Sequence, residues 1–269
     1  MGKHVLIEKP FTVTEKEANE LIELSESKKT LLTVFHNRRL DGDFKTIQQL
    51  IEKNTLGRIT MIESRFDRFR IDAKSNEAWR ETDQPGSGIL YDLGSHLLDQ
   101  IVCLFGKPET ISCRLLHQRL HTQISNPPDD YFLISLTFKN NPMIVHLSSS
   151  MITKIKAPRF SIHGINGSFI KYGLDPQEDL LKKFGVEAVG MVGKEKKHDW
   201  GTLQVGEEPE LLETLEGDYS LFFDNLADCI SKNEPESLLV KPRQAAFVIK
   251  LLELAQKSAV EGRVLNIEQ

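Results

Sequence analysis

The sequence predicts a mixed fold, in which an α/β segment is followed by an α+β segment with a large open, mostly antiparallel sheet. Two observations carry this prediction. A short apolar strand at 4–7, a helix and a second strand at 30–35 form one βαβ unit. Further along, 110–120, 131–138 and 143–151 read as consecutive strands, and alternation in the second of them makes one face apolar. An antiparallel sheet with one covered face is the simplest product.

The first segment has a clear helix start and a marked strand end. Thr14 is followed three residues later by Glu17, a capping box that starts a helix before an apolar stripe. The strand at 4–7 ends in Glu8-Lys9-Pro10, which places a cation at the carboxyl end of an apolar strand. Because proline follows Lys9 directly, this peptide bond is a candidate for the cis form.

The second segment is predicted to be longer and more varied. Arg65, Arg68 and Arg70 are expected to form a solvated strand face, and 173–216 a long surface excursion with few apolar residues. The other expected elements are a helix at 44–53, a strand at 59–69, a helix at 90–104, strands at 159–163 and 168–171, and helices at 219–230 and 242–259.

Composition excludes several classes of protein. The 269 residues carry a net charge of −5 without long blocks of one sign, which argues against nucleic-acid binding. Cys103, Cys113 and Cys229 are far apart among apolar neighbours, so we interpret them as core residues in a reducing compartment. No apolar run reaches the roughly 20 residues that span a bilayer, and the first residues do not resemble a signal peptide. We therefore expect a cytoplasmic protein without a membrane partner.

The most informative motif is an Asp and a His four positions apart behind a glycine turn. Asp92 and His96 follow Gly86-Ser-Gly88, and on a helix that spacing puts both side chains on one face. With Lys9, they would unite a carboxylate, an imidazole and an amine, which can manage an alcohol proton. Taken alone, the pair is also compatible with an ordinary helix histidine and a first-turn acid, or with two ligands of a metal ion. No third and fourth ligands are apparent, so no metal site is predicted.

Four motifs in order resemble one family. They are the run from Gly2 to Pro10, His36-Asn-Arg-Arg39 after the second strand, Trp79-Arg80 before the glycine turn, and Asp92-x-Gly94-x-His96-x-x-Asp99. Together they resemble the Gfo/Idh/MocA family of NAD(P)-dependent sugar and polyol dehydrogenases. The stretch from Ser168 to Asp179 adds to the likeness and, with the His36 motif, places the chain nearest the scyllo-inositol dehydrogenase branch.

The resemblance implies a reaction and a set of residues. Hydride would pass between NAD or NADP and a secondary hydroxyl of a sugar or polyol such as an inositol. His96 would remove the hydroxyl proton, Lys9 would stabilise the same oxygen, and Asp92 would orient a neighbouring hydroxyl. Tyr172 is a further substrate-binding candidate. The cofactor-binding candidates are Glu8, Lys9, Pro10, Asn37, Arg38, Trp79 and Arg80.

One departure from the family pattern is large. Members begin with a complete Rossmann domain whose first turn carries G-x-G-x-x-G, and this chain has no such turn at its start. We therefore interpret 1–40 as the C-terminal part of a truncated Rossmann domain. The remainder, 41–269, is expected to bind substrate and to oligomerise, with its last helix packing back on the first domain.

Two hypotheses follow from this departure. Either the protein is a dehydrogenase whose N-terminal segment is missing from this sequence, or it is a non-catalytic homologue that acts as an oligomerising or scaffold domain. In the family, the open sheet builds dimers or tetramers, so we expect a homodimer or homotetramer through 110–170. An exposed apolar edge is also expected at the strands 4–7 and 30–35.

Overall fold

The computed structural model describes residues 2–72, 79–120, 126–188 and 193–267. The chain forms two compact units. The first unit comprises Met1–His36, Arg65–Lys156 and Val240–Gln269, and the second comprises Asn37–Ser64 and Ala157–Leu239. The division of the chain into domains at residue 40 stays a prediction. No described helix is long and apolar enough to cross a membrane.

The first unit opens with the predicted βαβ unit. Its helices are α1 (Glu15–Ser27), α3 (Ser95–Phe105) and α6 (Pro242–Glu261), and its strands are β1 (Val5–Ile7), β2 (Leu32–Val34), β4 (Thr110–Leu116), β5 (Tyr131–Phe138), β6 (Asn141–Ser150) and β11 (Leu265–Asn266). Strands β1 and β2 pair in parallel, and α1 between them begins with the capping box of Thr14 and Glu17. An exposed apolar edge was expected at both strands. Val5 and Leu6 of β1 are exposed, as expected, whereas β2 is buried, contrary to the prediction.

The antiparallel strands of the first unit pair in the order β6-β5-β4-β11. Phe132, Ile134 and Leu136 of β5 are fully buried, which confirms the alternation predicted for this strand. Helix α6 packs against β4 and also against α1, α3 and β2. Strand β6 begins at Asn141 and not at 143, so the turn between β5 and β6 is shorter than predicted. Phe138 pairs with Asn141, and Asn140 adopts φ +56° in this tight turn.

The second unit is built on another antiparallel set of strands. Its helices are α2 (Gly42–Glu52), α4 (Gln177–Phe184) and α5 (Ser220–Lys232), and its strands are β3 (Ile59–Arg65), β7 (Phe160–Gly164), β8 (Ser168–Lys171), β9 (Gly201–Gln204) and β10 (Glu210–Leu212). The strands pair in the order β10-β9-β8-β7-β3. The core here includes Phe44, Ile62, Phe160 and Phe169.

Three predictions differ most from the structure. The excursion predicted at 173–216 contains α4, β9 and β10, because short segments such as Gly201–Gln204 extend the sheet although their composition is that of a loop. Strand β3 ends at Arg65 and not near 69, although Phe69 forms one isolated bridge with Ile152. Strand β4 ends at Leu116, four residues earlier than predicted.

Candidate active site

Lys9 is held by Asp92 across 83 positions of sequence. Its Nζ donates to the Asp92 backbone oxygen and to Oδ1, at 2.8 Å in each case. Lys9 lies just beyond the carboxyl end of β1, where the Lys9–Pro10 bond is cis. The side chains of Lys9 and Asp92 are 13% and 5% exposed, so this ion pair is shielded from water.

Arg80 reaches the same carboxylate from another segment. Its Nε lies 2.8 Å from Asp92 Oδ1, and its guanidinium stacks on Trp79 at 4.4 Å from the ring centroid. Both residues belong to a single 3₁₀ turn, Trp79–Glu81. Asp92 Oδ1 therefore accepts from an ammonium and from a guanidinium at once.

The prediction that Arg68 lies on a solvated strand face was wrong. Its Nη1 lies 4.0 Å from Asp92 Oδ2, and its guanidinium stands over Phe66. Residues after Arg65 have left strand β3, so the alternation used for the prediction no longer applies there. Among the described residues, three cations from separate segments thus surround one carboxylate.

These cations control the ionisation of Asp92. Burial alone would raise the pKa of its carboxyl, but Lys9 and Arg80 outweigh burial and hold that pKa below the ordinary value. Asp92 is therefore a carboxylate at neutral pH. It can accept hydrogen bonds and cannot donate a proton to a substrate.

The helix that carries Asp92 and His96 has an irregular start. A single π turn, Leu90–Gly94, contains Asp92 and leads into α3, whose second residue is His96. The continuous helix predicted at 90–104 is therefore interrupted in its first turn. π turns recur at functional sites because they re-aim side chains within a helix.

His96 is buried on α3, the helix that also carries one member of a second titratable pair. Asp99, one turn further along α3, lies 3.8 Å from the Nδ1 atom of His36, and each of these side chains is 2% exposed. His36 follows β2, as Lys9 follows β1, so both lie at the carboxyl edge of the parallel pair. Open α/β sheets bind their ligands at this edge.

The remaining candidates lie in different places. Glu8 is exposed and Pro10 half-buried in the first unit. Asn37, Arg38 and Tyr172 belong to the second unit. There Tyr172 is 57% exposed, and Asn37 begins a 3₁₀ turn.

Arg38 is buried in a network of acidic side chains. Its guanidinium donates to Asp41 at 3.1 Å and also to Glu178, while Tyr219 donates to Asp41 at 2.7 Å. Burial raises the pKa of the Asp41 carboxyl to about 7, although Arg38 opposes that effect. Within the second unit, the charge of Arg38 is thus matched by carboxylates.

Four further charged residues near the site were not predicted from the sequence. Glu81, Arg119, Asp129 and Asp130 are all buried in the first unit, and Arg119 pairs with both Glu81 and Asp130. Their only sequence signal is the pair of adjacent acids at the start of a predicted strand. No group of three or more His, Cys, Asp or Glu side chains is placed to hold a metal ion in the part of the chain that the structure describes.

The chain is similar to known oxidoreductases. A family model described as the oxidoreductase family, C-terminal alpha/beta domain, matches residues 48–267. An uncharacterised oxidoreductase of Schizosaccharomyces pombe is 40% identical over 286 residues, which cover 100% of this chain and 75% of that protein.

A curated sequence and a solved structure, both from Bacillus subtilis, are also similar to this chain. The scyllo-inositol 2-dehydrogenase (NADP(+)) IolW is 34% identical over 271 residues, covering 99% of this chain and 73% of IolW. The solved structure of the yvaA protein has a TM-score of 0.90 at 33% identity and covers 98% of this chain and 74% of that one. These matches confirm the resemblance seen in the sequence, and the chain belongs to the Gfo/Idh/MocA family of oxidoreductases.

Proposed function

We propose that the protein is an NAD(P)-dependent dehydrogenase that oxidises a secondary hydroxyl of a polyol or sugar, of which scyllo-inositol is the first candidate. The observation that carries the proposal is the Lys9–Asp92 ion pair, with His96 four residues along the same helical segment. The name of the IolW relative supports an inositol as substrate and NADP as cofactor.

The residues of the first unit fit a dinucleotide cofactor. The carboxyl ends of the parallel strands β1 and β2 carry Lys9 and His36, and the Arg80 side chain is 40% exposed above Trp79. A partly exposed guanidinium beside an aromatic ring suits an anionic ligand with planar rings. When bound, the nicotinamide ring would accept the hydride.

The protein's own groups would manage the proton and the developing charge. The hydroxyl proton passes to His96, and the carbinol hydrogen leaves with its electron pair, so the secondary alcohol becomes a ketone. Lys9 donates a hydrogen bond to the reacting oxygen and stabilises the negative charge that develops on it. Because Asp92 pairs with Lys9 and stays ionised, it holds the ammonium in place for this task.

Asp92 has a second task in this proposal. Oδ1 accepts from Lys9 and Arg80, whereas Oδ2 lies 4.0 Å from Arg68 Nη1, beyond hydrogen-bond distance. Oδ2 can therefore accept from a hydroxyl next to the reacting carbon. In this proposal Oδ1 positions the cations, and Oδ2 orients the substrate.

Turnover by the purified natural protein tests the proposal. We expect reduced nicotinamide to appear with scyllo-inositol, more rapidly with one of NAD and NADP than with the other. Absence of turnover with inositols, hexoses and sugar acids in the presence of either cofactor would overturn it. That outcome would favour the scaffold hypothesis for this chain.

We also propose that the protein forms a homodimer or homotetramer through the open face of β4, β5 and β6. This face carries small polar side chains, with hydrogen bonds between Thr110 and Thr137 at 2.6 Å and between Ser135 and His146 at 2.9 Å. A sheet face with few charges is suited to pairing with a second copy. Light scattering that gives the mass of a single chain would contradict this proposal.

A further inference from the structure

Two adjacent acids, Asp129 and Asp130, lie just before strand β5 and touch the segments on which the site depends. Both are buried, and neither was a candidate for function in the sequence. Each of them makes side-chain and backbone contacts to chain segments distant in sequence. The contacts lead to Arg80, Asp92 and Arg68 in turn.

The first connection runs to Arg80. Arg119 binds the Glu81 carboxylate with both terminal nitrogens, at 2.7 Å for Nη2–Oε2 and 3.3 Å for Nη1–Oε1. Both side chains are more than nine-tenths buried, and Glu81 is the residue after Arg80 in the same 3₁₀ turn. A buried bidentate pair fixes both distance and orientation, so Glu81 anchors this turn.

Asp130 in turn orients Arg119. Its Oδ2 accepts from Arg119 Nε at 3.3 Å and from the Arg119 backbone N–H at 2.7 Å, while Oδ1 accepts from Gln118 N–H at 2.7 Å. The guanidinium is thus held between two carboxylates, with Nε on Asp130 and the fork on Glu81. The turn that carries Glu81 can therefore not shift relative to Asp130 unless charged hydrogen bonds of Arg119 break.

The second connection runs to Asp92. Asp129 Oδ2 accepts from Leu90 N–H at 2.7 Å, and the Asp129 backbone oxygen accepts from Ile89 N–H at 3.1 Å. Leu90 is the first residue of the π turn that contains Asp92. Gly88 permits the approach, because a Cβ there would lie 2.1 Å from Asp129 Oδ1.

A third connection runs to Arg68 through the end of β6. The Asp130 backbone oxygen accepts from Met151 N–H at 3.0 Å, and the preceding residue, Ser150, accepts from Arg68 N–H through its own backbone oxygen at 2.8 Å. Three of the four segments that bring charges to the candidate site, those of Arg80, Asp92 and Arg68, are therefore attached to the same two residues, and the segment of Lys9 is the fourth.

We propose that Asp129 and Asp130, with Arg119 and Glu81, are positioning residues that hold Arg80 and Asp92 at their 2.8 Å separation. The proposal rests on the proposed function only in assigning a task to Arg80 and Asp92, and the geometry is independent of turnover. Reacting groups need such support, because a displacement of about 1 Å can cost about a hundredfold in rate.

Trp79 supplies a direct reporter of this geometry. The chain has two tryptophans, Trp79 on the anchored turn and Trp200 in the second unit. In a Trp200→Phe background, emission comes from Trp79, and quenching by neutral acrylamide measures how tightly the turn is held. Arg119→Met and Glu81→Gln remove the anchor, and Arg243→Met is the matched control, because Arg243 pairs with Glu26 on the surface of the same unit.

We expect Arg119→Met and Glu81→Gln to raise the quenching constant of Trp79 about twofold or more, since the turn loosens locally, while Arg243→Met leaves it unchanged. Far-UV circular dichroism establishes that each variant is folded. If Arg119→Met does not fold, Glu81→Gln, which keeps the side-chain shape, decides the matter. Unchanged quenching in the folded anchor variants would overturn the proposal.

A kinetic measurement separates positioning from general structural damage. If a variant only reduces the fraction of molecules that are folded, the apparent kcat falls and KM is unchanged. If Arg80 is displaced, KM for the cofactor rises as well. We expect Glu81→Gln to raise that KM about tenfold or more, in line with the loss of an oriented charged contact. A lowered kcat at constant KM would contradict the assignment, and absence of turnover in the parent protein would count against the proposed function alone.

Discussion

Lys9 and Asp92 form a buried ion pair in which one ammonium binds both the side chain and the backbone oxygen of the same residue, at 2.8 Å each. Two contacts to one residue fix the ammonium in direction as well as in distance. The carboxylate also binds Arg80 at 2.8 Å, so removal of Lys9 leaves Asp92 with one counter-charge, whereas removal of Asp92 leaves both cations without theirs. This arrangement determines how the site should respond to mutation.

Replacement of Lys9 should abolish most of the activity. Lys9→Met keeps the length of the side chain but removes the charge that stabilises the reacting oxygen. We expect kcat/KM to fall by about 10²–10⁴, measured by the appearance of reduced nicotinamide. Lys16→Met is the control, because Lys16 lies on the surface of α1 with its side chain 86% exposed, and it should retain full activity. Activity within about threefold of the parent in Lys9→Met would rule out the assigned role.

Replacement of Asp92 should reduce both stability and activity. Asp92→Asn preserves shape but leaves Lys9 and Arg80 without their shared counter-charge. Because the Arg80 side chain is 40% exposed and stays hydrated, we expect the free energy of unfolding, measured in urea, to fall by about 1–3 kcal/mol, less than the loss from a fully buried network. Asp228→Asn breaks an exposed pair with Lys232 and should change stability by less than about 0.5 kcal/mol. Equal effects of the two substitutions would show that the Asp92 pair is solvated.

Two glycines with positive φ allow the energetic effect of the close approach between Gly88 and Asp129 to be measured. Gly88 has φ +83° and Gly106 φ +73°, but only at Gly88 would an added Cβ meet atoms within 4 Å, the nearest being Asp129 Oδ1 at 2.1 Å. Gly106→Ala should lower the free energy of unfolding by about 1 kcal/mol through backbone strain. Gly88→Ala should cost about 2 kcal/mol more, because the carboxylate must move from Leu90. Similar losses for the two variants would contradict the close approach.

Stability should depend on pH through Asp129. Burial raises the pKa of this carboxyl to about 7, despite the backbone N–H of Leu90 that favours its ionised form. The folded protein therefore holds a proton that the unfolded chain has released above pH ~4. The stabilisation is complete below pH ~4 and is lost as pH rises towards 7, at up to ~1.4 kcal/mol per pH unit.

Asp129→Asn isolates this contribution. The amide cannot ionise, so the stability of the variant lacks this pH dependence. As pH rises from about 4 to 7, the free energy of unfolding of the parent should fall relative to that of the variant. Urea titrations at several pH values measure it. Asp83→Asn, at an exposed position, serves as control and should give a difference that does not vary in this way. A difference that stays constant between about pH 4 and 7 would show that Asp129 in the folded protein is ionised throughout this range, and would contradict the raised pKa.

Part of this molecule could be predicted from local sequence signals. The capping box at Thr14 and the alternation of Phe132, Ile134 and Leu136 are local signals, and both appear in the structure as expected; the Lys9–Pro10 bond, a candidate for the cis form, is cis. The boundaries that failed depend on partners far along the chain. Gly201–Gln204 becomes a strand because Phe169 and its neighbours in β8 offer an edge, which no local pattern encodes.

The same distinction applies to the site. Residue types at short spacing singled out Asp92 and His96, the end of the apolar strand at 4–7 indicated Lys9, and the resemblance added Arg80. Arg68 and Arg119 carry no local signal, since an arginine in an alternating strand is usually a solvated residue. Their positions follow from the path of the chain after β3 and after β4. A single sequence does not reveal such contacts.

Isotope transfer tests the central claim most directly. With scyllo-inositol deuterated at its carbinol carbons, the natural protein should produce reduced nicotinamide that carries one deuterium by mass spectrometry, while the Lys9→Met variant should produce far less of it. That result would establish hydride transfer from the substrate carbon at a site that requires Lys9. Reduced cofactor without deuterium, or equal labelled product from the variant, would contradict the account.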